Sequence, residues 1–73
     1  MTNRDADRKA NMGVFIRVKW GDRGKRYKIV AKHYTWLTWD CRKASIEFDA
    51  IDEEGRITSF HYLDAIIDPN QGE

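Results

Sequence analysis

The chain has 73 residues, of which 41% are hydrophobic and 34% charged, with a formal net charge of +1. That length excludes more than one domain and leaves a small core, to which three tryptophans, three tyrosines and three phenylalanines bring much of the available burial. A single cysteine, Cys41, excludes an intrachain disulfide, and no apolar run reaches membrane-spanning length. The expectation is a soluble protein of the reducing cytoplasm, with no apolar signal core near Met1.

Residues 1–12 are polar, charged and without periodicity, which predicts a disordered arm. From Gly13 to Trp20 the chain alternates. Val14, Ile16, Val18 and Trp20 fall on one side, and Phe15, Arg17 and Lys19 on the other. The cluster Gly21-Asp22-Arg23-Gly24 reads as a turn. Lys25 to Tyr34 reads as a second strand, with Tyr27, Ile29, Ala31 and His33 on its apolar side. A three-residue loop would set Val18 opposite Lys28 and bury lysines. A four-residue loop, Asp22 to Lys25, sets Val18 opposite Ile29 and Ile16 opposite Ala31, and burial favours it. The outward side then carries Arg17, Lys19, Lys28 and Lys32 among Phe15, Val30 and Tyr34.

Thr35 to Lys43 holds Trp36 and Trp39 three apart, the spacing of a helical turn, but its Thr-Trp-Leu-Thr-Trp run also suits a bent strand. A strand end followed by a turn is expected. Ala44 to Leu63 is the strongest signal, two alternating runs around Glu53-Glu54-Gly55. Pairing Asp52 with Arg56 sets Ile46 opposite Tyr62, Phe48 opposite Phe60 and Ala50 opposite Thr58 on an apolar side. Glu47 then faces His61 and Asp49 faces Ser59 on a polar side. Leu63 to Asp68 reads as a short helical turn or a closing strand, stopped by Pro69, and residues 70–73 are expected to fray.

The predicted fold is mainly β. A single domain over residues 13–69 forms a small antiparallel sheet or SH3-like barrel of four to five strands. The alternative is an α+β domain with a helix at Trp36–Ser45.

Catalytic and metal chemistry find little footing. Cys41, His33 and His61 are the soft ligands, too few and too irregularly spaced for a structural zinc site. Nothing marks Cys41 as an activated nucleophile, and the acids at Asp52, Glu53 and Glu54 suit a solvated hairpin tip. Gly21 and Gly24 belong to a turn and open no helix, so no phosphate loop is expected. The expectation is a protein that is not an enzyme and needs no cofactor or metal.

Charge is divided along the chain. Residues 1–43 hold twelve basic and four acidic residues, net +8; residues 44–73 hold one basic and eight acidic, net −7. Either the halves neutralise each other or the basic half is a binding surface. On the second reading Arg17, Lys19, Lys28 and Lys32, with Phe15 and Tyr34, form the partner-binding face.

A short chain, rich in charge and free of catalytic motifs, resembles the small accessory proteins of bacterial viruses. In length and style it is similar to the Xanthomonas phage type of regulator that binds host RNA polymerase, inhibiting initiation and acting in antitermination. The resemblance rests on this general character and assigns no residue a role. It implies a non-enzymatic regulator, monomeric, working in the host cytoplasm on a host protein assembly, with RNA polymerase as the expected partner. The alternative is a nucleic-acid-binding small β-barrel using its basic and aromatic face.

Overall fold

The computed structural model describes residues 1–21, 24–36 and 44–72, with Trp36 and Ala44 as backbone. The elements in order are α1 (Asn3–Arg8), β1 (Phe15–Val18), β2 (Tyr27–Trp36), β3 (Ala44–Ile51), β4 (Ile57–His61), a 3-10 turn at Tyr62–Asp64, and β5 (Ala65–Ile67). The strands form one antiparallel sheet in the order β4-β3-β2-β1-β5.

The β3–β4 hairpin forms in the expected register, with Phe48 opposite Phe60, Ala50 opposite Thr58, and Glu47 opposite His61. Its turn is closed by Asp52, whose Oδ1 accepts the backbone N–H groups of Glu54 and Arg56, each at 2.9 Å. A short acceptor on the turn's first residue supplies what the backbone cannot. Gly55 follows at φ +83°, a left-handed conformation that strains any residue with a Cβ. Leu63 to Asp68 combines both expected forms: the 3-10 turn takes Tyr62–Asp64 and the closing strand takes Ala65–Ile67.

The first hairpin keeps its expected faces but changes register. Ile16 lies opposite Tyr27 and Phe15 opposite Lys28, four residues from the expected pairing of Ile16 with Ala31. An even slip leaves every side chain on its own face, so Ile16 and Ile29 remain buried. The longer loop has a cause at the far edge. Val18 pairs with Ala65 and the Lys19 N–H donates to Asp64 O at 2.8 Å, so the end of β1 is drawn to β5.

A bulge corrects the expected faces of β2. Ile29 lies opposite Ala50 but Ala31 lies opposite Asp49, which leaves Val30 as the extra residue. One inserted residue turns all later side chains over. Lys32 and Tyr34 therefore stand beside the buried Phe48 and Ile46, while Ala31 and His33 join the polar outer face with Asp49 and Glu47. The expected single face of Arg17, Lys19, Lys28 and Lys32 is thus divided between two sides of the sheet.

The sheet is open, with β4 and β5 as its edges, so the barrel form of the expectation is not closed by hydrogen bonds. It is nevertheless strongly curled. In a flat five-stranded sheet the edges lie about 19 Å apart. The chain crosses from His61 to Ala65 in four steps, a reach of about 14 Å. Curling brings Tyr27 of β2 against Phe60 of β4 edge to face, ring centroids 4.8 Å apart. Ile16, Ile29, Ile46, Phe48, Ala50 and Ala65 fill the concave side.

Residues 1–12, expected as a disordered arm, carry α1, which packs on that core. Thr2 caps it by accepting the Asp5 N–H at 3.1 Å, and Ala6 and Ala10, one turn apart, are fully buried. Two β2 side chains brought inward by the bulge hold the helix. The Tyr34 hydroxyl donates to Asp7 Oδ1 at 2.6 Å, and Lys32 Nζ donates to Asp7 O at 2.9 Å. In the tail, where 70–73 were expected to fray, Asn70, Gln71 and Gly72 make hydrogen bonds. The Gln71 amide accepts from Phe15 N–H and donates to Phe15 O, continuing the β1 ladder with a side chain, and Arg26 donates to Asn70 O and Gly72 O.

Trp36 ends β2 and Ala44 begins β3, so neither is helical. The rest of the expected turn or helix, residues 37–43 with Trp39 and Cys41, lies outside the described residues. Among the described residues no helix is long and apolar enough to cross a membrane.

Candidate docking surface

The register places four residues in a row across the convex face, one from each of four strands: Phe15, Lys28, Ile51 and Ile57. Ile57 is 64% exposed. Phe15 is half-buried beneath two cations. The Arg26 guanidinium lies 3.9 Å from its ring centroid and Lys28 Nζ lies 5.9 Å away. A shallow cleft of about 160 Å³ runs among Phe15, Arg26, Lys28, Ile51, Asp52 and Glu53. It adjoins a second of about 180 Å³ between Gly24–Arg26 and Asp52–Glu54.

Beside this row a buried carboxylate gathers two of the cations. Asp68 is 2% exposed; its Oδ2 accepts from Arg17 Nε at 3.0 Å and lies 3.1 Å from Arg26 Nε. The buried Arg26 Nε is within ion-pairing reach of that oxygen but off the hydrogen-bond axis. The Asn70 N–H on Oδ1 holds the Asp68 carboxyl below the usual carboxylate range; burial opposes this, and Arg17 and Arg26 add to it. Asp52 is lowered in the same way, chiefly by the Arg56 N–H, with burial opposing and the Glu54 N–H and Lys25 assisting. Lys25 Nζ stands 3.5 Å from Asp52 Oδ2.

Of the six residues expected at the partner face, Phe15 and Lys28 come together in the row. Arg17 serves Asp68, and Lys19 sits with its Nζ 5.6 Å from the ring of Trp20, which is 67% exposed. Lys32 and Tyr34 lie on the other side of the sheet with α1. Burial pushes the Lys32 ammonium down, against the raising effect of Asp7. The hydrogen bond to Asp7, then burial and the Asp7 charge, push the Tyr34 phenol up to about 12.

Ile51, Ile57 and Arg26 were missing from the expected face. The first two were within reach of the sequence, since the register that pairs Phe48 with Phe60 also pairs Ile51 with Ile57 on the polar side. Arg26 had no local signal, because its partners Asp68, Asn70 and Gly72 are distant in sequence.

The outer face also carries His33, Asp49, Ser59, Ser45 and His61. His33 Nε2 lies 2.8 Å from Asp49 Oδ2, and Ser59 donates to Asp49 Oδ1 at 2.8 Å. These bonds, that of His33 foremost, lower the Asp49 carboxyl against the opposing effect of burial. His61 Nδ1 accepts the Leu63 N–H at 3.2 Å, which places the neutral ring's proton on Nε2, 2.9 Å from Ser45 Oγ. The imidazole thus donates to the serine, the reverse of the proton flow in a nucleophile–base pair. Among the described residues no three His, Cys, Asp or Glu side chains are grouped to hold a metal ion. Comparison of the chain with protein-family models, curated proteins and solved structures finds no match.

Proposed function

We propose that the protein is a non-enzymatic regulator that docks on a larger protein assembly through its convex face, with bacterial RNA polymerase as the partner its general character implies. The supporting observation is the convex-face row of Phe15, Lys28, Ile51 and Ile57, in which Lys28 and Ile57 are exposed and Phe15 and Ile51 half-buried. It is an apolar strip crossed by Lys28 and covered at Phe15 by Arg26, with Asp52 and Glu53 beside it, which suits a small protein interface with an apolar centre and a polar rim. Regulation would follow from occupying a surface that the assembly needs at initiation or termination. The test is transcription in vitro with purified bacterial RNA polymerase. Added protein is expected to co-migrate with the enzyme and to reduce initiation or shift termination; polymerase that neither binds it nor changes its products counts against this function.

Nucleic-acid binding is the second reading, favoured by Trp20 exposed beside Lys19. It ranks lower because Arg17, Lys25 and Arg26 are engaged by Asp68 and Asp52. A complex with DNA or RNA at low salt, weakening steeply as salt rises, would promote it.

A further inference from the structure

The two edges of the sheet are finished differently. At β5 the strand is three residues long, Pro69 follows, and the Met1 amino nitrogen donates to Ala65 O at 2.9 Å. At β4 no such device is present among the described residues. Its sequence, Ile-Thr-Ser-Phe-His, holds no lysine, arginine or proline, and Ile57, Thr58 and Ser59 are exposed. Natural sheets guard free edges with charges, proline, bulges or cover, and an edge left bare is a template for another strand.

The ladder indicates which backbone groups that edge offers. The Asp52 N–H donates to Arg56 O, so this pair is of the hydrogen-bonded kind. Bonded and non-bonded pairs alternate in an antiparallel ladder. Ile57, Ser59 and His61 are therefore at non-bonded positions; the N–H and C=O of Ile57 and Ser59 and the His61 N–H point away from β3, while the His61 C=O, at the N-cap of the 3-10 turn, is taken up by that turn. Among the described residues no strand pairs with that side of β4.

The surroundings select the occupant. Glu47 and Asp49 flank the edge on the outer face of β3, Glu53 and Glu54 lie at its start, and Asp64 lies just past its end. Arg56 precedes the strand, and its Nε is 3.6 Å from Glu54 Oε2. A second copy laid antiparallel on β4 would bring the same acids against these. A cationic strand would meet them with opposite charge.

We infer that the β4 edge is an acceptor site for an extended, lysine- or arginine-rich segment of a protein partner, which adds to the sheet as a sixth strand. Main-chain hydrogen bonds from Ile57, Ser59 and His61 supply the pairing, and the acids select the charge. The inference goes beyond the docking function proposed above and holds whichever protein carries the segment.

The test uses the full chain and two short synthetic peptides, one alternating lysine with valine and one alternating glutamate with valine. The lysine peptide is expected to slow hydrogen exchange at the Ile57, Ser59 and His61 amides. The glutamate peptide should bind at least about tenfold more weakly. Ser59→Pro removes one outward N–H and should abolish binding. If that variant does not fold, Thr58→Lys, at an exposed position, should weaken the lysine peptide by like charge. Lack of binding, equal affinity for both peptides, protection centred on another strand, or full binding by a folded edge variant would overturn the inference. So would sedimentation showing a dimer that protects the same amides without peptide, since a second copy would then fill the edge.

Discussion

Arg17 donates its Nε to Asp68 Oδ2 across 3.0 Å, and this contact joins the basic first half of the chain to the acidic second half. Arg26 reaches the same oxygen at 3.1 Å, Lys25 reaches Asp52, and His33 reaches Asp49. Three of the twelve basic residues of the first half are thus spent on two acids of the second, and that part of the charge asymmetry is resolved inside the molecule. A net charge counted by segment would have overstated the field available to a polyanion.

Acid should unfold the protein through these carboxylates. Asp49, Asp52 and Asp68 all have lowered folded-state values, so the unfolded chain binds more protons as pH falls. Their stabilising contribution is complete above the ordinary carboxylate range near about 4 and is lost as pH drops below it toward the folded values. Urea midpoints measured from neutral pH downward should fall in that window. Asp68→Asn should be less stable at neutral pH and show a shallower acid dependence; a profile identical to the parent's would remove Asp68 from this role.

Phe48 has no exposed surface and pairs across the hairpin with Phe60. Phe48→Ala should cost about 3–5 kcal/mol, most of the stability of so small a domain. Thermal denaturation should show loss of a cooperative transition near the parent's midpoint.

The α1 latch should open in alkali. Tyr34, raised to about 12 by its bond to Asp7, contributes stability that is full below the ordinary tyrosine value of about 10. That contribution is lost as pH rises toward 12. Ultraviolet titration should show a late-ionising phenol that Tyr34→Phe removes, and Ala6 and Ala10 amides should lose protection in the same interval. Deleting residues 1–11 should cost roughly 2 kcal/mol, from two buried methyl groups at about 0.8 each. An unchanged midpoint would return the arm to the disordered state expected from its polarity.

The parts of the fold that were legible in the sequence were those fixed locally. Asp52 and Gly55 set one turn, and that turn set every pair from Ile51–Ile57 to Glu47–His61. The first hairpin has no comparably tight turn, so burial fixed its faces but not its register. The bulge at Val30 left no mark in the alternation, and missing it placed Lys32 and Tyr34 on the wrong side. α1 did have a signal, Thr2 three residues before Asp5 and then Ala6 and Ala10 one turn apart, but alanines form too faint an apolar stripe beside seven charged or amide neighbours. The ties from Arg26 and Gln71 to the chain's end exist only once β5 has returned to β1.

The docking face is tested most directly by the affinity of purified bacterial RNA polymerase for the parent and for the double variant Lys28→Glu, Ile57→Asp. Both positions are exposed, so stability should shift by no more than about 0.5 kcal/mol at each. The parent is expected to bind, and the folded double variant to bind at least about tenfold more weakly. A folded double variant that binds as the parent does, or a parent that does not bind at all, would contradict the assignment of this face.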